Sequence, residues 1–170
     1  LQSAPQVQLL VTSRERLHIR GEHVHLVKGM RFPQQAVLTE AATASAVQLF
    51  VQSAQRLQPH FALTTANLPA VLRICQLVQG MPLALELATA WLDQRSLAEI
   101  AQAIAQSADF LTADWHDLPA RQRSMRAVFT WSWQLLNATE QRVLRQVALF
   151  QGGFTRLAAE TVVGATLHDL

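Results

Sequence analysis

The 170-residue chain is 50% hydrophobic and only 15% charged, so it can bury a sizeable core and is not expected to be disordered. Its formal net charge of +2 is too small to indicate nucleic-acid binding by itself, and its length suits one domain or two small ones. The single cysteine, Cys75, excludes an internal disulfide and favours a reducing, cytoplasmic compartment, and no apolar run is long and uncharged enough to span a bilayer.

Two short strands are predicted near the start of the chain. The run "VQLLVT" at residues 7–12 is typical of a strand that is covered on both faces, as in a parallel sheet. The alternating run "HVHLV" at residues 23–27 predicts a second, weaker strand. Because exposed apolar edges recruit other chains, we expect residues 7–12 either to pair with a second copy or to fold against the helices.

Helices are predicted from residue 45 onwards. Apolar residues recur at helical spacing over residues 45–57, and Pro59 stops this helix. Asn67 is the expected cap of the next helix, in which Cys75 lies on the apolar face and is expected to pack in the core.

The apolar stretch "LVQGMPLALELATAWL" at residues 77–92 contains Gly80 and Pro82, which disfavour the interior of a helix. Gly80 suits the position just after a helix, and Pro82 suits the first turn of the next one. The pattern therefore predicts two helices that meet at a tight corner.

A domain boundary is predicted after the following helix. The motif "SLAE", with Ser96 and Glu99, predicts a capping box. The segment 108–123 is less periodic and contains Pro119, so we interpret it as a linker, with the boundary near residues 114–121.

The last third of the chain predicts three helices. Residues 124–136 carry aromatic side chains on more than one helical face, which favours a well-buried helix. Asn137 and Glu140 have the spacing of a capping box, and Thr155 is the expected cap of the last helix. At this helical spacing, the tryptophans of the chain are expected in the core rather than in a stacking platform.

Recognisable catalytic and metal-binding motifs are absent from the sequence. The sequence contains no phosphate-binding G-x-x-x-x-G-K-[ST] loop, G-x-G-x-x-G, G-x-S-x-G, H-E-x-x-H or paired-cysteine motif. Histidine and aspartate recur in "HVH" and in "DWHD", but without convergent ligands elsewhere we interpret both as solvated polar residues. These residues are His23, His25, Asp114, His116 and Asp117.

Three stretches together resemble the STAND class of signalling NTPases: "LLVTSRERL", "GMPLALELATAWL" and "SMRAVFTWSWQLLNATEQRVLRQVALFQGGFTRLAAETVVG". The pattern is similar to bacterial LuxR- and AfsR-type regulator ATPases, which are related to the NB-ARC module. The resemblance implies a mainly α fold: residues 1–33 end a parallel α/β P-loop domain, residues 34–113 form a helical lid, and residues 114–170 begin a winged-helix domain that stops before the wing.

The resemblance also implies a nucleotide site. Ser13 and Arg14 would form the first sensor, which faces the terminal phosphate of ATP, and "GMPL" would be the G-x-P motif that packs near the adenine. That motif comprises Gly80, Met81, Pro82 and Leu83. From the residues alone, Arg14 would pair with a nearby acid and the motif would be a plain helix–helix turn.

The sequence departs from the family at the phosphate site. The P-loop and the acidic magnesium-binding strand are absent, so nucleotide affinity should fall by roughly a thousandfold or more and this chain alone should not hydrolyse ATP. The stretch "LHDL" at residues 167–170 directly follows the third helix, whereas the family's histidine-containing signature lies after the wing hairpin. His168 is instead expected to begin the following helix. The expected partners are therefore the missing P-loop segment and downstream sensor domains of a longer parent protein, with ATP or ADP bound in that parent.

Three functional interpretations follow. The first is the regulatory part of a nucleotide-dependent switch in a transcriptional regulator. The second is a helical DNA-binding fragment, for which Arg121, Arg123 and Arg126 are the clustered candidates, although the winged-helix segment that inserts into DNA is missing. The third is a protein-interaction module without a ligand.

Overall fold

The computed structural model describes residues 6–13, 16–117, 119–150 and 153–164, without the side chains of residues 121 and 163. Within these residues the chain is mainly helical, and a single isolated antiparallel bridge, between Thr112 and Ser124, takes the place of any sheet. The helices are α1 (Leu38–Thr43), α2 (Ser45–Leu57), α3 (Leu68–Leu77), α4 (Pro82–Thr89), α5 (Leu97–Gln106), α6 (Met125–Leu135), α7 (Ala138–Val147) and α8 (Arg156–Val163), with short 3₁₀ turns at Ala108–Phe110 and Ala120–Gln122.

The two predicted strands are not formed. Residues 7–12 and 23–27 have irregular backbone and lie on the surface, and the side chains of Leu9 and Leu10 are 67% and 99% exposed. A strand needs hydrogen-bonded neighbours, and the described residues supply none to these segments. The expected sheet remnant is therefore not seen, and residues 7–12 do not fold against the helices.

The hydrophobic core lies among α2, α3, α4 and α5. The helix predicted over residues 45–57 is confirmed as α2, and Cys75 is fully buried as expected. Apolar side chains recur every three or four residues on each helix, so that one face of each is removed from water. The largest side chains that are fully buried there include Phe50, Leu68, Ile74, Leu85, Leu87 and Ile100.

Most of the predicted helix caps are confirmed. Capping boxes form at Ser96 with Glu99 and at Asn137 with Glu140, and Thr155 accepts a hydrogen bond from the first turn of α8. Asn67 occupies the N-cap position of α3 as predicted, but its side chain does not cap the helix: its backbone is already helical, and the side chain binds the preceding loop instead. A capping side chain needs extended backbone to turn back towards its helix.

The helices after residue 124 are thinly covered. Val143 and Ala159 are the buried apolar residues of this described region, whereas Phe129 is 58% and Leu135 61% exposed. The prediction that α6 is well buried is therefore wrong, because α6 packs mainly through the two short 3₁₀ turns that precede it. Of the four tryptophans, Trp131 is nearly half exposed and the others are half-buried.

Candidate functional site: the corner between α3 and α4

The corner between α3 and α4 is a rigid turn. After α3, Gln79 and Gly80 both adopt left-handed backbone, with φ of 51° and 64°. The Gly80 N–H donates to the carbonyl oxygen of Cys75 at 2.9 Å, and the Met81 N–H donates to that of Val78 at 3.0 Å. These bonds satisfy the last carbonyls of α3 and fix the direction in which the chain leaves the helix.

Helix α4 begins directly at this corner. Pro82 is its first residue, where the missing N–H costs nothing, and Leu85 donates its N–H to the Met81 carbonyl at 3.0 Å. No side chain caps the first-turn amides of Leu83 and Ala84. Met81 is 44% exposed and Pro82 is exposed, whereas Leu83 is half-buried against the core. The corner thus presents a small apolar surface beside uncapped helix amides.

A segment from before α1 lies directly on the corner. The Met30 N–H donates to the Gly80 carbonyl at 2.8 Å. This contact could not be predicted from the sequence, because Met30 and Gly80 are fifty positions apart and "VKGM" carries no local signal of a partner.

The predicted site residues are only partly placed. Gly80, Met81, Pro82 and Leu83 come together in one turn. Ser13 is described and exposed, but Arg14 lies outside the described residues.

The surface of the corner is apolar and uncharged. The exposed Met81 and the ring of Pro82 suit contact with a flat apolar group. The corner itself carries no charged side chain to hold phosphates. Its chemistry thus suits a flat, uncharged group better than an anionic one.

A second organised region replaces the predicted linker 108–123. The Ala113 N–H donates to the carbonyl of Arg123 at 2.8 Å, and the Met125 N–H donates to that of Leu111 at 3.0 Å. We call the described part of residues 107–126, which these bonds fold back on itself, the clasp. The clasp fixes the start of α6 to the end of the segment that follows α5.

Aromatic contacts attach the clasp to the four-helix core. The rings of Trp91 and Phe110 stack with centroids 4.7 Å apart, and the Trp91 Nε1–H donates to the Thr112 carbonyl at 3.1 Å. The guanidinium of Arg95 lies over both rings, 5.9 Å and 5.5 Å from their centroids. Stacking, a hydrogen bond and a cation–π contact therefore converge on Trp91.

The clasp also engages two of the three clustered arginines. The guanidinium of Arg126 donates to both carboxylate oxygens of Asp109, with 2.7 Å between Arg126 Nε and Asp109 Oδ1. This hydrogen-bonded guanidinium lowers the pKa of Asp109, and the carboxylate raises the pKa of Arg126. Arg123 donates to the His116 carbonyl at 3.2 Å, and the side chain of Arg121 is outside the description. Both described arginines thus contribute to the clasp itself.

The remaining candidate chemistry is inconspicuous. His23, His25 and the "DWHD" side chains are on or near the surface, and the described part of the chain brings no three His, Cys, Asp or Glu residues together as metal ligands. Burial raises the pKa of the Cys75 thiol to about 12, so this thiol stays protonated at neutral pH. No helix in the described ranges has the length and apolar character that crossing a membrane requires.

Similar sequences occur in mycobacteria. Over 169 residues, or 99% of this chain, the sequence is 34% identical to candidate HTH-type transcriptional regulators of Mycobacterium tuberculosis and Mycobacterium bovis. It is 30% identical over the same length to an uncharacterised protein of Mycobacterium tuberculosis. The chain spans 18% of the length of these regulators and 40% of that protein. No family model and no solved structure matches the chain.

Proposed function

We propose that this chain is a helical regulatory segment of an HTH-type transcriptional regulator. The observation that carries this proposal is the similarity, over nearly the whole chain, to proteins named as candidate regulators of that type. A well-buried helical core supports it, because such a core can hold a segment in one shape while neighbouring regions of the parent bind or move.

The segment acts, in this proposal, as the lid of a nucleotide-dependent switch. Met81 and Pro82 contact the adenine of ATP or ADP that a P-loop segment of the parent holds, while Ser13 and Arg14 face the terminal phosphate. Support comes from the STAND-like sequence motifs and from the exposed apolar surface of the corner. Contacts that differ between ATP and ADP would favour different arrangements of the lid and the helices that follow it. Hydrolysis belongs to the parent rather than to this chain.

Calorimetric titration of the full-length parent protein with ADP and ATP tests the nucleotide role. We expect Met81→Glu to weaken binding by about tenfold or more, since it places a carboxylate and its hydration shell against the base. Leu57→Glu is the matched control, because Leu57 is a similarly exposed apolar residue, at the end of α2. Equal affinities of the wild-type protein and the Met81→Glu variant would refute the contact.

A DNA-binding or protein-interaction module without a nucleotide is the second candidate. The names of the regulator relatives favour it, because helix-turn-helix proteins bind DNA. If this chain contacts DNA, its affinity should fall steeply with salt, and Arg142→Ala, at an exposed position of α7, should lower the salt dependence. Ala substitution of Arg73, on α3, is the control. DNA affinity that both variants leave unchanged would exclude contact through α7.

A further inference from the structure

Two glycines from distant parts of the sequence are in reciprocal backbone contact. A Cβ atom on Gly29 would lie 2.1 Å from the carbonyl oxygen of Gln79, and one on Gly80 would lie 2.1 Å from that of Met30. Both distances are far below any tolerable carbon–oxygen contact, and both neighbours are backbone atoms that cannot swing aside. Neither position therefore accepts a side chain unless the two segments separate.

The two glycines are required for different reasons. Gly80 combines left-handed backbone, with φ of 64°, with the close approach, so both conformation and space demand glycine there. Gly29 has no such backbone requirement, and its role is to let the two segments touch. The hydrogen bond of 2.8 Å from the Met30 N–H to the Gly80 carbonyl crosses this contact.

Arg31, which follows the glycine contact, is hydrogen-bonded to the start of α2. The Arg31 N–H donates to Ser45 Oγ at 3.1 Å, and the Ala46 N–H donates to the Arg31 carbonyl at 3.0 Å. Both bonds lie at the start of α2. Residues 29–31 are thus held between the α3–α4 corner and α2, whereas residues 16–28, which precede them, are almost wholly exposed and irregular.

We propose that Gly29 and Gly80 are positioning residues that couple the N-terminal segment to the corner, and that this coupling sets the nucleotide affinity of Met81 and Pro82. The proposal rests on the proposed nucleotide role of the corner. The carbonyl that receives the Met30 N–H belongs to the residue just before Met81. A shift of residues 16–28 that breaks this bond would therefore change the support directly beneath the adenine contact, and a bound nucleotide would in turn hold the segment in place.

Gly29→Ala tests the coupling with two measurements. Amide exchange followed by NMR on the 170-residue chain should show the Met30 amide exchanging about tenfold faster or more, since about 1.4 kcal/mol of lost protection corresponds to tenfold. The Phe50 amide, in the interior of α2, should change by less than about twofold. In the full-length parent, the affinity for ADP should fall by about tenfold.

Two further variants complete the test. Val27→Ala is the control, because Val27 lies in the same segment, two residues before Gly29, and its side chain is 85% exposed. It should leave both the Met30 amide and the ADP affinity unchanged. Gly80→Ala probes the contact from the opposite side. If Gly80→Ala unfolds the core, Gly29→Ala alone tests the coupling, since Gly29 lies outside the described helices.

The outcomes separate this proposal from the proposed function. An unchanged exchange rate of the Met30 amide in Gly29→Ala would overturn the coupling. An unchanged ADP affinity in a variant whose Met30 amide exchanges faster would overturn it too. A wild-type parent that binds no adenine nucleotide would refute the proposed function and the ligand part of this inference. The exchange measurement would still decide whether the two glycines hold the segment.

Discussion

The four-helix core and the helices after residue 124 share one chain but differ sharply in burial. In α2 to α5 one face of each helix is removed from water, whereas in α6 to α8 the described buried apolar residues are Val143 and Ala159. Burial of apolar area is the main driving force of folding. The core is therefore stabilised by its own buried side chains, whereas α6 to α8 bury little apolar area among the described residues and α6 is attached through the clasp.

The largest effect is expected from Phe50→Ala in the core. The ring of Phe50 is fully buried and in edge contact with Phe61, so its removal leaves a cavity and should lower the free energy of unfolding by about 3–5 kcal/mol. Urea denaturation followed by circular dichroism measures this loss. Leu10→Ala, at a fully exposed position, is the control and should change stability by less than about 0.5 kcal/mol. Similar losses for the two variants would contradict the location of the core.

A smaller effect is expected where the two regions meet. Trp91→Phe keeps a ring that can stack on Phe110 but removes the Nε1–H that binds the Thr112 carbonyl. The loss of one partly buried hydrogen bond should destabilise the clasp by about 1 kcal/mol. Amide exchange should show faster opening at Met125, at the start of α6, than in wild type. Unaltered protection of the Met125 amide would mean that Trp91 does not hold the clasp.

Much of the core could be predicted from the sequence, because its determinants are local. The bounds of α2 and the two capping boxes follow from periodicity and from side chains three residues apart. The two predicted strands are not formed, because a strand needs hydrogen-bonded partner strands that the described residues do not provide. Two contacts could not be predicted, because they join positions that are distant in the sequence and no local pattern indicates them. They are the contact of Gly29 with Gly80 and the ion pair of Asp109 with Arg126. The corner of the candidate site could therefore be predicted from the sequence, whereas the segment around Met30 that lies against it could not.

Acid should weaken the clasp. Arg126 lowers the pKa of Asp109 in the folded state, so this carboxylate contributes stability above its unfolded pKa of about 3.9, and the contribution is lost as pH falls through the lower folded value. The pair is exposed, so the effect is modest and should shrink in high salt. The Met125 amide, followed from pH 6 down to about pH 3, should lose protection below about pH 4. Asp109→Asn should remove that dependence, and an identical acid profile in this variant would show that another group is responsible.

The smallest effect is expected on the exposed face of α6. Phe129→Ser and Leu135→Ser should each change the stability of this chain by less than about 0.5 kcal/mol, because both side chains are mostly exposed. Urea denaturation of the 170-residue chain measures this. A loss of 2 kcal/mol or more, about the scale of a buried apolar side chain, would mean that this face is covered after all and would erase the contrast between the two regions.

Photoaffinity labelling of the full-length parent with an azido-adenine nucleotide tests the central claim most directly. The account predicts that the label is found on the peptide that contains Met81 and Pro82, and that excess ADP prevents it. Labelling confined to other peptides, or labelling at Met81 that excess ADP does not reduce, would contradict the assignment of this corner to the adenine.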